Sequence, residues 1–293
     1  MKDTIINSSK IKILVCCHKP CELPEDDIFL PIQVGAAISD VDLGMQRDDQ
    51  VNGITCDNIS AKNKSYCELT AMYWAWKNIK KLYPDLEYIG LNHYRRYFAF
   101  DKQFIKKELY VNLENSILKY KIKKNRMEKL LKKGKTIIAK KKVYPYPLYL
   151  DYSLSHISED LRTLKKIIQD KTPDYIPAFN RVFMRNNALA HYNMTVIMWT
   201  HFDNYCSWLF DILQEAEQRI NIQNYSDFQK RIFGYMAERL FNVWLIANKI
   251  DVKEIPVVQY ADNVTELSFV KYFYRRIRFS ISNIFLKQWR KKN

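Results

Sequence analysis

Apolar residues in the first hundred positions fall into short runs, and later ones recur every three or four places. Ile11 to Cys17, Ile-Lys-Ile-Leu-Val-Cys-Cys, is nearly unbroken and ends in His18-Lys19-Pro20. That is the pattern of a buried strand breaking into a loop. A second apolar piece, Pro31 to Ala37, precedes an acidic loop from Asp40 to Asp49. Leu69, Tyr73, Trp76 and Lys80 then recur at helical intervals beside Met72 and Ile79. They predict a helix of about four turns from near Tyr66 to Pro84, with Ser65 and Glu68 at capping-box spacing. Tyr88, Ile89 and Leu91 predict another buried strand, in which Gly90 lets a backbone or a ligand come close. Strand, helix and strand make a βαβ unit with a right-handed crossover. The Asn58–Glu68 segment is thereby expected on the same sheet edge as His93–Arg96.

Further on, Leu109, Leu113, Ile117, Leu118 and Ile122, then Met127, Leu130 and Leu131, predict one or two helices inserted at about 101–142. Thr136–Ala139 is a short strand beside a rigid Tyr144-Pro145-Tyr146-Pro147 loop. Helices are expected over Ser158–Asp170 and Phe202–Ile220, and from a Ser226/Gln229 capping box to Asn248. Ala188–Trp199 reads as one strand carrying His191, and Ile255–Val258 as a closing strand. The whole is an α/β chain with a helix-rich second half.

Charge changes the picture more than composition does. The 293 residues carry a formal net charge of +15, which points to an anionic partner. Thirteen lysines and Arg126 face only Glu108, Glu114 and Glu128 between Lys106 and Lys142, a run usually read as a solvated face. The N-terminal residues lack the apolar core of a secretion signal, and no apolar run of membrane-spanning length occurs, so a cytoplasmic location is expected. Six cysteines then serve as free thiols. Cys16, Cys17, His18 and Cys21 cluster like a zinc knuckle, but no second Cys/His pair follows at finger spacing. Neither a Gly-rich dinucleotide fingerprint nor a P-loop is present.

The chemistry gathers at Tyr88–Phe98, where a strand delivers His93, Tyr94, Arg95 and Arg96. Ligands of open α/β sheets bind beyond the carboxyl ends of strands. A planar guanidinium suits phosphate oxygens there. The alternative is a strand end with solvated charges. Glu238 and Arg239 lie inside a largely apolar helix, either as a structural pair or as site chemistry. Basic charge and abundant aromatics also admit a nucleic-acid-binding protein, although no known binding motif accompanies them.

Several blocks together resemble one bacterial family. They are Asp57-Asn58-Ile59-Ser60, Lys62-Asn63, Tyr66-Cys67-Glu68-Leu69-Thr70 and Tyr73-Trp74-Ala75-Trp76-Lys77-Asn78. Gly90-Leu91 with His93-Tyr94-Arg95-Arg96-Tyr97-Phe98 follows, and later Phe228, Arg231, Phe233-Gly234 and Glu238-Arg239-Leu240. The family is a domain of unknown function associated with capsular and lipopolysaccharide gene clusters. Its members are taken to be glycosyltransferases of GT-A-like fold, some of them galactofuranosyl- or galactosyltransferases. The likeness runs over residues 11 to 262, weakly across 101–150. It implies a GT-A-like, Rossmann-type central sheet flanked by helices over 1–262. A UDP-sugar donor and a lipid-linked oligosaccharide acceptor are the implied partners.

On this resemblance Asp57, Asn58, Lys62, Asn63, His93, Tyr94, Arg95, Arg96, His191, Arg231 and Arg239 contact the nucleotide sugar. Glu238 or Asp227 is the base for an inverting transfer. The strand that should end in a metal-holding Asp-x-Asp ends in His93-Tyr94-Arg95-Arg96. Asp26-Asp27 and Asp48-Asp49, the only adjacent aspartate pairs, lie in early loops. No cofactor is therefore expected, with Mn²⁺ or Mg²⁺ on His93, His191 and a carboxylate as the alternative. The tail 263–293 has eight basic residues from Ser268 on and no acidic one there, with Val270, Phe273, Ile277, Ile281 and Ile284 on one helical face. It is expected to lie as an amphipathic helix on the anionic inner face of the plasma membrane.

Overall fold

The computed structural model describes residues 10–100, 108–112 and 122–261. Its main sheet has ten strands. These are β1 (Ile11–Cys17), β2 (Phe29–Gln33), β3 (Gln46–Arg47), β4 (Tyr88–His93), β5 (Arg96–Phe98), β6 (Glu108–Asn112), β7 (Thr136–Ala139), β8 (Thr195–Met198), β9 (Val252–Ile255) and β10 (Val257–Ala261). The longer helices are α1 (Leu69–Leu82), α2 (Lys124–Lys132), α3 (Leu148–Ser155), α4 (Ser158–Lys171), α5 (Ile176–Asn180), α6 (Trp199–Arg219) and α7 (Ile232–Ala247).

Strand β1 is central, parallel to β2 on one side and to β4 on the other. Its alternating side chains feed two cores, as period-two geometry requires. Leu14 and Cys16 join the core under α1 and α4 to α7. Ile11, Ile13, Val15 and Cys17 join the one under α2, β5 and β10. A strand buried on both faces has to be a continuous apolar run, which is why this segment reads so clearly. Beyond β4 the sheet becomes mixed: β8 runs antiparallel to β4 and β7, and β9 parallel to β7. The expected α/β fold with a helix-rich second half is what forms. At Gly90 the close neighbour is backbone, since an added Cβ would stand 2.9 Å from the Thr195 carbonyl oxygen.

Several local expectations are corrected. Residues 108–112 form β6 rather than the start of a helix, paired in parallel with β10. Edge pairing overrides the helical spacing of Leu109 with Leu113, because propensity is weak against tertiary context. The Ser65/Glu68 capping box does not form: Ser65 Oγ donates to the Lys62 carbonyl, and Glu68 turns towards Asn193. A break at Cys67, with φ of 53°, separates a short Asn63–Tyr66 turn from α1. The helix expected after Ser226 is also interrupted. Ser226 Oγ accepts from the Gln229 amide and caps a separate Asp227–Lys230 turn, and α7 starts at Ile232. Ala188–Trp199 is two short strands around a bend at 190–194, and Trp199 already belongs to α6. Pro256 likewise splits the closing strand into β9 and β10. The tail 263–293 and the rest of 101–121 lie outside the described residues.

Candidate active site

The carboxyl ends of β1 and β4 are paired, Cys16 against His93, so the loops that follow both strands emerge together. The first brings His18 and Lys19, the second Tyr94 and Arg95. The His18 ring meets Tyr94 edge-on at 5.2 Å, while Lys19 Nζ and the Arg95 guanidinium lie 5.7 and 5.5 Å from the centre of the same ring. Arg231 completes the group from just before α7. Its Nε donates to Cys67 Sγ at 3.3 Å, and its guanidinium lies 5.6 Å from the Tyr235 ring centre. Burial first, and then the charges of Lys19, Arg95 and Arg231, hold the His18 imidazole below its usual pKa. Among the described residues no carboxylate forms an ion pair with Arg95, Arg96 or Arg231. Arg95 Nε is buried without a partner. Cations gathered at strand ends without ion-pair partners are a candidate site for an anion.

The floor of the cleft is built by the 190–194 bend, and α7 holds that bend in place. Glu238 Oε1 accepts from the Tyr192 amide at 2.8 Å, and Asn242 brackets Ala190 through both its amide and its carbonyl. Tyr192 and Asn193 thereby hold φ of 73° and 51°, which non-glycine residues rarely adopt without such restraint. Glu238 Oε2 faces His191 Nδ1 at 3.3 Å, and Tyr144 Oη lies 2.7 Å from His191 Nε2. An ionised carboxylate only accepts, so Nδ1 carries a proton towards Glu238 and Tyr144 Oη pairs with Nε2. Burial alone would push the Glu238 carboxyl up. The His191 hydrogen bond, Arg239 and the Tyr192 amide outweigh it and hold the pKa at about 2. His93 Nε2 donates to the Tyr192 carbonyl at 2.8 Å, and burial with Arg96 lowers its pKa to about 4, leaving it neutral. Arg96 stacks 4.5 Å from the Tyr192 ring centre, its Nε donating to Gln259 at 3.3 Å.

The remaining candidates are placed as follows. Asn58 closes a local turn, accepting from the Ser60 amide and donating to the Cys56 carbonyl. Asp57 accepts from Tyr73 Oη, and its carbonyl accepts from Asn78, well along α1 from the cleft end. Lys62 pairs with Glu217 at 2.7 Å, and Asn63 donates to the Cys67 carbonyl, bracing the break before α1. Arg239 is buried, donating to the Tyr235 carbonyl and to Asp151 at 3.4 Å. Asp227 is exposed in its short turn, with no hydrogen bond to the cleft groups among the described residues. Asp26 and Asp27 pair with Lys124; Asp48 accepts from the Gly35 and Ala36 amides, and Asp49 pairs with Arg47. No set of three His, Cys, Asp or Glu side chains converges on a metal position among the described residues, the Cys16–Cys21 cluster included.

Sequence patterns missed two contributors. Lys19 sits in the loop His18-Lys19-Pro20 after β1, and that place after a parallel strand is a usable signal. Glu68 was overlooked because a cap explained it.

The fold is thus an open, mixed α/β sheet with Arg95 and Arg231 gathered beyond the ends of two of its parallel strands. The chain matches the family described as a domain of unknown function, DUF4422, over residues 12–249, and it belongs to that family. Among solved structures it is similar to the apo structure of the WbbM bifunctional glycosyltransferase, with a TM-score of 0.75 at 27% identity over 89% of this chain. It covers 48% of that chain, about half of its length. No curated protein matches it.

Proposed function

We propose that the protein is a GT-A-type glycosyltransferase that moves a hexosyl unit, galactofuranose or galactose, from a UDP-sugar to a lipid-linked glycan of capsule or O-antigen synthesis. One observation carries this reading: Lys19, Arg95 and Arg231 converge beyond the ends of β1 and β4, and among the described residues no carboxylate lies within ion-pair distance of either arginine. Likeness to the WbbM fold supports it. A departing nucleoside diphosphate needs its developing charge met by fixed positive groups. Arg95 and Arg231 do this at the diphosphate, and Arg96 steadies Tyr192 and the floor. On this reading guanidinium rather than a divalent ion does the neutralising.

The test is a thermal-shift panel of nucleoside diphosphate sugars with Mn²⁺ or with EDTA. A UDP-sugar should raise the melting temperature in both, by an amount growing with the logarithm of its concentration, about 2.7 kcal/mol at a hundredfold excess over Kd. No shift with any nucleotide sinks the reading, and a shift that needs Mn²⁺ sinks its metal-free part.

No described helix is long and apolar enough to cross a membrane. We propose that residues 263–293 hold the protein on an anionic leaflet, where a lipid-linked acceptor resides; the basic charge of that tail supports this. The full chain should co-sediment with vesicles containing phosphatidylglycerol at low salt, and a chain ending at Glu266 should not. Equal binding of the two refutes the anchor.

A further inference from the structure

Two carboxylates reach the floor of the cleft, Glu68 from the break before α1 and Glu238 from α7, and their surroundings differ. Glu238 has both oxygens engaged, one by the Tyr192 amide and one by His191, with Arg239 Nη1 3.6 Å away. Glu68 Oε1 accepts a single side-chain hydrogen bond, from Asn193 Nδ2 at 2.8 Å. The other end of that amide, Asn193 Oδ1, is buried with no partner. Glu68 is crowded on most sides yet keeps some exposed surface, as a group at the bottom of a cleft does.

We propose that Glu68 is the group that takes the proton from the acceptor hydroxyl, and that Glu238 is a positioning residue that holds the bend presenting Asn193 to it. This rests on the glycosyltransferase reading above. Glu68 adjoins the cationic group directly, since Cys67 receives the hydrogen bond from Arg231 Nε. The base thus sits one residue from the atom that fixes a diphosphate-binding arginine. Charged and titratable groups face Glu68 from each packed element: Arg231 and Glu238 from the α7 side, Cys16 from β1, Tyr205 from α6, and Cys67 beside it.

Electrostatics point the same way. Burial raises the Glu68 pKa to about 7 against the opposing Asn193 hydrogen bond, while Glu238 is held at about 2. A base works best when its pKa lies near the working pH, and a carboxylate held at so low a value accepts a proton poorly. Two carboxylates driven apart in this way divide the roles between them. In the step itself, the acceptor hydroxyl gives its proton to a Glu68 oxygen while its own oxygen forms a bond to the anomeric carbon. The bond from that carbon to the donor's phosphate oxygen breaks. Its electron pair leaves on the diphosphate, whose added charge Arg95 and Arg231 receive.

The experiment compares wild type, Glu68→Gln, Glu68→Asp and Asn193→Asp, using UDP as the binding probe and the UDP-sugar found by thermal shift as donor. Glu68→Gln should bind UDP with unchanged Kd, lose about 10² to 10³ in kcat, and lose the inflection near pH 7 in the kcat profile. Glu68→Asp should recover part of the rate. Asn193→Asp, which places a second carboxylate beside Glu68, should move the inflection to higher pH, and it serves as the test should Glu68→Gln not fold. An unchanged inflection in the Gln or the Asn193 variant, with UDP still bound, overturns the assignment and leaves the glycosyltransferase reading standing. Failure of wild type to bind UDP overturns that reading first.

Discussion

Arg95→Ala should reduce kcat by about 10³ while leaving the melting temperature within a degree or two of wild type, because a cation stabilising a leaving group in a dry site supplies several kcal/mol to the transition state alone. The Arg95 guanidinium has no ion pair to lose among the described residues and lies beside the Tyr94 ring, so the fold gives up little. Arg95→Lys should restore only part, since an ammonium is a point charge without the planar fork. Arg96→Ala should behave differently. Its side chain ties Gln259 to the Tyr192 ring, so both stability and rate should fall. Steady-state rates and thermal melts of the three variants check this, and an Arg95→Ala enzyme with near wild-type kcat refutes the diphosphate role.

Glu238→Gln should be the most destabilising conservative change in the cleft. Removing the charge leaves buried Arg239 with Asp151, at 3.4 Å, as its remaining ionic partner, and loosens the Tyr192 amide that sets the bend. Breaking a buried, hydrogen-bonded charge pair costs roughly 3 kcal/mol or more. The pH dependence has a definite sign. The folded pKa of about 2 lies below the ordinary value of 4.5, so the carboxylate's stabilisation is complete above that value and lost as pH falls from there towards 2. A shift of that size corresponds to about 3 kcal/mol. Denaturant unfolding across that range should show wild type losing stability steeply with acid, and Glu238→Gln losing much less. Parallel acid limbs would show that Glu238 is not held as an ion in the folded protein.

Much of the frame was legible because it is local. β1 and β4 announce themselves as apolar runs, since both faces are buried, and α1 by its apolar spacing. His93 through Arg96 could be placed at a strand end because strand polarity follows from chain direction. The 190–194 bend was not legible. Ala188 to Trp199 has the composition of one strand, and what bends it is a carboxylate and an amide on α7, some fifty residues later in the chain. β6 was misread for a related reason: its partner, β10, is distant in sequence, and edge pairing leaves only a faint periodic trace.

The same division separates the site residues. Sequence alone determined that guanidinium and imidazole are delivered together beyond a parallel strand, because neighbours along a chain remain neighbours in space. Only the tertiary structure decided what each polar group does. It sent Lys62 to Glu217, Asn58 to its own turn and Arg239 to Asp151, while Arg95 and Arg231 form no ion pair among the described residues. It also engaged Glu238 on both oxygens, while Glu68 accepts one side-chain hydrogen bond, from Asn193. The physical reason is that a side chain's ionisation depends on burial and on charges brought in from other elements, and neither is a property of the residues beside it in the chain.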